Sequence, residues 1–329
     1  MASQRMKLNA TADRIEMALR DGRAPARVVG GKVMPNFVEM LLELDSGTKV
    51  SQIRSRIPDI ALAVGNPNVR LTQIGERLAL QIARLTREPV YMSKLMPAVT
   101  PECGFSALLG LAEDGAPLLA KLSAPEVSHV LVAGATGSGK TLLAQSMILS
   151  LCQRYRPHKL GLIMLDPKRR EGSAFEAAIA RHLVLPIART IEEVIAALHR
   201  ACQLMDERVL GSQNGGAEPD PRIVIYADEL GDLCQTGGQA VIDLFSRIAM
   251  RGRECGLHLL VCTQKPSSRS IGSLLKTNLP LRLLGRMTSV EDARLAAGRA
   301  GSGAEKLSGS GDFVAVTADK IIRFQAALP

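Results

Sequence analysis

The sequence predicts an α/β fold: a mostly parallel central sheet flanked by helices, preceded by a smaller α/β domain. Three observations predict it. From about residue 105 onward, short aliphatic runs alternate with amphipathic stretches, the pattern of βα units on a parallel sheet. A glycine-rich loop lies between one such run and a helix-like segment. A second aliphatic run ends in a pair of acids. The predicted division is a small basic domain over residues 1–104 and a larger domain over 105–329.

The strand expectations for the larger domain are His129–Ala133, Leu162–Leu165, Ile223–Ala227, Leu257–Cys262, Leu281–Leu284 and Asp312–Val316. Residues 191–208 place Ile191, Val194, Ile195, Leu198, Cys202 and Met205 on one face at a 3.6-residue period, which predicts a helix. A second helix is expected over 239–253. Residues 211–221 (GSQNGGAEPDP) read as a loop by composition. In the first hundred residues, strands are expected over 33–44 and 68–72, helices over 50–63 and 75–85, and a linker over 97–103.

Composition narrows the function classes. The 329 residues are 46% hydrophobic, enough to bury a sizeable core. There is no Trp, with 3 Tyr and 6 Phe, so the core is aliphatic and stacking platforms for single-stranded nucleic acid are scarce. The net charge is +9, with 15 Lys/Arg against 9 Asp/Glu in residues 1–100. Such an excess attracts polyanions, and it is also found on ordinary basic proteins. Six Cys, at 103, 152, 202, 234, 255 and 262, show no CxxC pair and read as packed thiols in a reducing, cytoplasmic compartment. The first twenty residues lack the apolar core of a signal peptide, and no apolar run reaches the roughly 20 residues that span a bilayer.

The strongest motif is Gly134, Ala135, Thr136, Gly137, Ser138, Gly139, Lys140, Thr141, which fits G-x-x-x-x-G-K-[ST] between a strand and a helix. Small residues let the backbone wrap a phosphate, and the helix behind directs its positive end there. ATP and Mg²⁺ are the implied cofactors. Lys140 is placed at the β- and γ-phosphates and the Thr141 hydroxyl on Mg²⁺. The run IVIYA ends in Asp228 and Glu229. Asp228 suits Mg²⁺ binding, and Glu229 suits polarising the attacking water. Gln264, ending LVCTQ, either senses the γ-phosphate or is an ordinary polar strand end.

In this order the pieces resemble the motors of FtsK/SpoIIIE DNA translocases, of the HerA/FtsK group of RecA-like P-loop ATPases. The resemblance rests on residues 162–168 (LIMLDPK), 253–267 (RECGLHLLVCTQKPS), 271–282 (IGSLLKTNLPLR) and 303–312 (GAEKLSGSGD). It covers most of 128–316, and more weakly the first hundred residues, at the place of the family's α domain. It implies a hexameric homo-oligomeric ring that hydrolyses ATP between subunits and pulls double-stranded DNA through its pore. It implies that Arg253 is an arginine finger acting on a neighbour, and that Lys265, Arg269 and Lys276 belong to DNA-facing loops. Val290 stands where the family commonly has Lys, and Arg286 is the nearby substitute for that phosphate contact. A short soluble version, lacking the membrane anchor and the DNA-reading winged-helix domain, is expected, with chromosome, plasmid, phage or integrative element all open as cargo. The competing readings are an FtsK-like ATPase moving polypeptide in secretion, a small-molecule P-loop kinase and a non-hydrolysing assembly factor. Six Lys/Arg against two acids in residues 265–294 favour DNA.

Overall fold

The computed structural model describes residues 2–34, 37–84, 89–168, 172–212, 220–264, 266 and 277–329. The chain forms two compact units, Met1–Pro89 and Val90–Pro329. The sequence expectation had drawn the division at 104/105.

The first unit comprises α1 (Ala2–Asp21), β1 (Ala26–Val33), β2 (Phe37–Leu44), α2 (Val50–Ser55), α3 (Ile57–Val64), β3 (Val69–Ile74) and β4 (Arg77–Ala83). Its sheet is antiparallel throughout, in the order β1-β2-β4-β3. Met40, Leu42, Leu80 and Ile82 project from it into one core with Ile15 and Leu19 of α1 and Ile53 and Ile60 of the short helices. Of the strand expected over 33–44, Phe37–Leu44 is β2 and Val33 is the last residue of β1, a strand the sequence had not separated. The helix expected over 75–85 is a correction: the described part of that stretch is the hairpin partner of β3. Leu78, Leu80 and Ile82 recur every second residue toward the core, and Gly75 takes the turn at φ 59°. Tertiary pairing there overrides a local run of good helix formers.

The second unit comprises α4 (Met92–Leu95), β5 (Ser106–Ala112), β6 (Pro117–Lys121), β7 (Val130–Ala133), α5 (Lys140–Arg154), β8 (Leu160–Leu165), α6 (Ser173–Ile179), α7 (Ile191–Ser212), β9 (Arg222–Ala227), α8 (Leu230–Arg251), β10 (Leu257–Thr263), β11 (Leu281–Leu284), α9 (Val290–Ala297), β12 (Asp312–Val316) and β13 (Ile321–Ala326). One sheet joins its strands in the order β6-β5-β13-β12-β11-β7-β10-β9-β8. The five from β11 to β8 are parallel, and the four on the other side are antiparallel.

Alternate residues of the parallel strands feed two cores. Leu131, Ile163, Ile225 and Val261 meet α7 and α8 on one face, and Val130, Leu162, Tyr226 and Leu260 meet α5 on the other. Burial on both faces explains why these strands read as unbroken aliphatic runs. Cys202, Cys234, Cys255 and Cys262 are buried in the same cores, and burial pushes the Cys234 thiol up to about 12. The second expected helix is longer than predicted. It runs Leu230–Arg251, interrupted at Gly238, and a 3-10 turn follows at Gly252–Cys255. Among the described residues no helix is long and apolar enough to cross a membrane.

Candidate nucleotide site

Parallel strands carry ligands at their carboxyl ends, and there β7, β9, β10 and β11 deliver the candidate residues. The loop after β7 turns through Gly137 at φ 78° and Gly139 at φ 99°, conformations that glycine adopts freely. A Cβ on Gly134 would lie 2.8 Å from the Ser138 hydroxyl and 3.2 Å from the Gly285 backbone. The loop is thus wound too tightly for a side chain at its first position.

Lys140 begins α5 and is buried, with its Nζ donating to the carbonyls of Gly134 (2.7 Å) and Ala135 (3.2 Å). Among the described residues, the amides of Gly137, Gly139 and Thr141 have no partner. An ammonium held on its own loop and amides without acceptors, at the start of a 15-residue helix, fit a polyphosphate. The Thr141 hydroxyl donates to Asp228 Oδ1 at 3.3 Å, and the buried Tyr226 hydroxyl donates to the same oxygen at 3.1 Å. A hydroxyl and a carboxylate side by side are the hard oxygen donors that suit Mg²⁺.

Glu229 follows Asp228 at the end of β9. Its carboxylate accepts from the Thr263 hydroxyl (2.8 Å) and from the Gln264 amide N–H (3.2 Å). The Gln264 side chain in turn accepts from the Thr136 hydroxyl at 3.0 Å. One hydrogen-bonded chain therefore runs from the acid after β9, through the end of β10, to the phosphate loop.

The structure brings together the glycine-rich loop, Lys140, Thr141, Asp228, Glu229 and Gln264. Arg253 is elsewhere. It is exposed in the turn that precedes β10, at the opposite end of that strand from Gln264, roughly 20 Å away at the usual rise per residue. Lys265, Arg269 and Lys276 lie outside the described residues. Arg286 is exposed and close to the phosphate loop, its carbonyl accepting from the Ala135 amide at 2.8 Å.

Sequence reasoning gave no role to several neighbours, some of them inside runs that carry the resemblance. Tyr226 and Thr263 orient the two acids, and both adjoin motif residues. Asp166, buried at the end of β8, accepts from Arg189 at 2.9 Å, and Lys168 pairs with Asp232. These two acids border the cleft that holds Asp228 and Glu229. The largest omission is the back of the loop. Ser310 N–H donates to the Gly137 carbonyl (3.3 Å) and Gly311 N–H to the Ser138 carbonyl (2.9 Å). Behind them Asp312, with no exposed surface, accepts from Arg323 through both carboxylate oxygens (2.8 and 2.7 Å) and from Ser308. Burial would raise the Asp312 carboxyl, but the Arg323 and Ser308 contacts hold it below the usual carboxylate range.

The family model described as "FtsK/SpoIIIE family" matches residues 104–210 and 208–268, and that described as "FtsK alpha domain" matches residues 1–82. The chain belongs to the FtsK/SpoIIIE family. It is 33% identical over 352 residues to the DNA translocase FtsK of Corynebacterium glutamicum, covering 96% of this chain and 38% of that one. It is 30% identical over 347 residues to the DNA translocase SpoIIIE of Bacillus subtilis, covering 96% and 43%. The chain thus spans about two fifths of the length of these relatives. Two solved structures share the fold. The pCW3 conjugation coupling protein TcpA, a monomer form with ATPgS, superposes at TM-score 0.66 with 16% identity, covering 97% of this chain and 95% of that one. The cytoplasmic domain of the type VII secretion ATPase EccC from Thermomonospora curvata superposes at 0.60 with 23% identity, covering 73% and 32%.

Proposed function

We propose that the chain is an ATPase that drives double-stranded DNA through a ring of identical subunits, a hexamer, in the cytoplasm. The observation that carries the reading is the bonded chain from Glu229 through Gln264 to Thr136. It couples the acid that prepares water to the loop that holds phosphate, as a hydrolase requires and a passive binder does not. Lys140 and the loop amides hold the polyphosphate. Thr141 and Asp228 hold Mg²⁺, which supplies charge neutralisation at the phosphates. Glu229 takes the proton of the attacking water, and Gln264 registers the phosphate nearest to it.

Arg253 fits action on a neighbour, since the length of β10 separates it from its own loop. Lys265, Arg269 and Lys276 lie in sequence between β10 and β11, and their charges suit duplex phosphates regardless of base sequence. The names of the relatives support DNA as the polymer moved.

The test is ATP hydrolysis by the full chain with and without duplex DNA, in the presence and absence of unstructured peptide, with Lys140→Ala as control. Duplex DNA should stimulate turnover, peptide should not compete, and Lys140→Ala should neither bind nor hydrolyse ATP. Stimulation by peptide alone would reassign the chain to polypeptide movement. Near-normal ATP affinity in Lys140→Ala would remove the nucleotide site itself.

A further inference from the structure

The phosphate loop has two flanks. Asp228, Glu229 and Gln264 occupy one, where the terminal phosphate and metal are expected. A nucleotide seated in the loop must therefore lead its nucleoside out across the other flank, formed by the end of β11 and by residues 308–311. We propose that Arg286 contacts the nucleotide on that flank, with its guanidinium on the phosphate nearest the ribose, and is not a DNA contact. The inference rests on the nucleotide site proposed above.

Four observations place Arg286 there. β11 runs parallel to β7, and the Gly285 amide donates to the Ala133 carbonyl at 2.8 Å, so the chain after β11 runs against the phosphate loop. A Cβ on Gly285 would come within 2.7 Å of the Ser138 Cβ, so no side chain separates the two backbones. The next residue is Arg286 itself, whose carbonyl accepts from the Ala135 amide. Its side chain then turns to the loop tip: the Cβ that Gly309 lacks would lie 3.6 Å from the Gly137 carbonyl oxygen and 4.0 Å from the Arg286 Nε.

The charge environment agrees. Among the described residues Arg286 has no carboxylate partner. The acids on α9 are engaged elsewhere, Glu291 with Arg294 and Asp292 with Thr288 and Ser289. An exposed guanidinium with no carboxylate partner among the described residues, on a chain segment packed against the phosphate loop, is matched to phosphate oxygens, which its planar fork can bind two at a time. The phosphate nearest the ribose is common to ATP and ADP. A contact there anchors both alike and leaves discrimination between them to the Gln264 flank.

The experiment is equilibrium binding of a fluorescent ADP and of a non-hydrolysable ATP analogue to the full-length wild type, Arg286→Ala, Arg286→Lys and Lys140→Ala. The salt dependence of duplex binding without nucleotide is measured alongside. Arg286→Ala should bind both nucleotides about tenfold more weakly, as loss of a charged hydrogen bond implies. Arg286→Lys should fall between, because it keeps charge and loses the fork. The melting temperature without nucleotide and the duplex salt slope should stay at wild-type values. Arg286→Ala affinity within twofold of wild type overturns the proposal. A salt slope reduced by about one unit at unchanged nucleotide affinity assigns Arg286 to the duplex instead. Failure of the wild type to bind nucleotide removes the site reading, a result distinct from a normal wild type and Lys140→Ala with an indifferent Arg286→Ala.

Discussion

The two flanks of the phosphate loop are built by different chemistry. The Gln264 flank carries three contacts between polar side chains: Thr136 with Gln264, Thr141 with Asp228, Thr263 with Glu229. Each is a hydroxyl on a carboxylate or amide and can change partner by rotating a bond. On the Gly309 flank the contacts are backbone hydrogen bonds to Gly137 and Ser138, backed by the buried Asp312–Arg323 pair. The backbone contacts there cannot exchange without moving the chain. On the proposed function the difference separates labour in the site: one flank would report and react, and the other would hold the cradle still.

Breaking the reactive flank should cost turnover and little else. Glu229→Gln keeps the shape and one acceptor oxygen but loses the base. Its rate of hydrolysis should fall about 10²–10⁴-fold, with nucleotide affinity and melting temperature near wild type. A variant retaining more than half the wild-type rate removes Glu229 from the chemistry.

Breaking the rigid flank should do the reverse. Asp312→Asn leaves the Arg323 guanidinium with only the more distant Glu113 carboxylate (3.9 Å) as charge partner and turns an N–H₂ toward groups that are themselves donors. Loss of one member of a buried pair costs about 3 kcal/mol, read as a lower urea midpoint. Hydrolysis per bound nucleotide should be largely retained, since no reacting group is touched. If Asp312→Asn were as stable as wild type yet as slow as Glu229→Gln, the two flanks would not be distinct in kind.

The same contrast governs what could be read from the sequence. The reactive flank was legible because its residues are contiguous with motifs: Asp228 and Glu229 end one aliphatic run, and Gln264 ends another. The parallel strands were legible for a related reason, since burial on both faces writes aliphatic runs such as Leu162–Leu165 and Ile223–Ala227, which lie within β8 and β9. The rigid flank was hidden. Asp312 meets Arg323 only through antiparallel pairing of β12 with β13, and neither residue type marks its partner. In the first unit, β4 was hidden by helix-forming composition, and α1 by its polarity, since Ile15 and Leu19 are the buried residues near its end. Arg253 was singled out by resemblance alone, while its separation from its own loop was already legible in its place just before the strand that leads to Gln264, a place the structure keeps.

The smallest expected effect concerns the other end of the strands that carry the site. His129, just before β7, and His258, in β10, are both buried. The Leu259 amide donates to His129 Nδ1 at 3.0 Å, so that nitrogen carries no proton. His258 Nδ1 is 3.0 Å from the Ser128 carbonyl, which can only accept, so that nitrogen carries one. His129 is therefore neutral, and burial keeps His258 neutral as well. Burial, with His258 nearby, lowers His129 to about 3, and burial lowers His258 to about 4, Arg222 adding to the effect. In the unfolded chain both revert to about 6.5. Below that pH the unfolded state binds more protons than the folded one. Stability conferred by the neutral pair is thus complete above about pH 6.5 and is lost as pH falls toward 4 and then 3. Each ring should remove up to about 1.4 kcal/mol per pH unit between pH 6 and 5, above the range of ordinary carboxylates. His258→Asn keeps a donor for the Ser128 carbonyl and cannot titrate. Urea unfolding of this variant should show about half the wild-type loss between pH 6 and 5. An equal loss in variant and wild type would mean that His258 contributes no proton-linked stability at the strands' far ends.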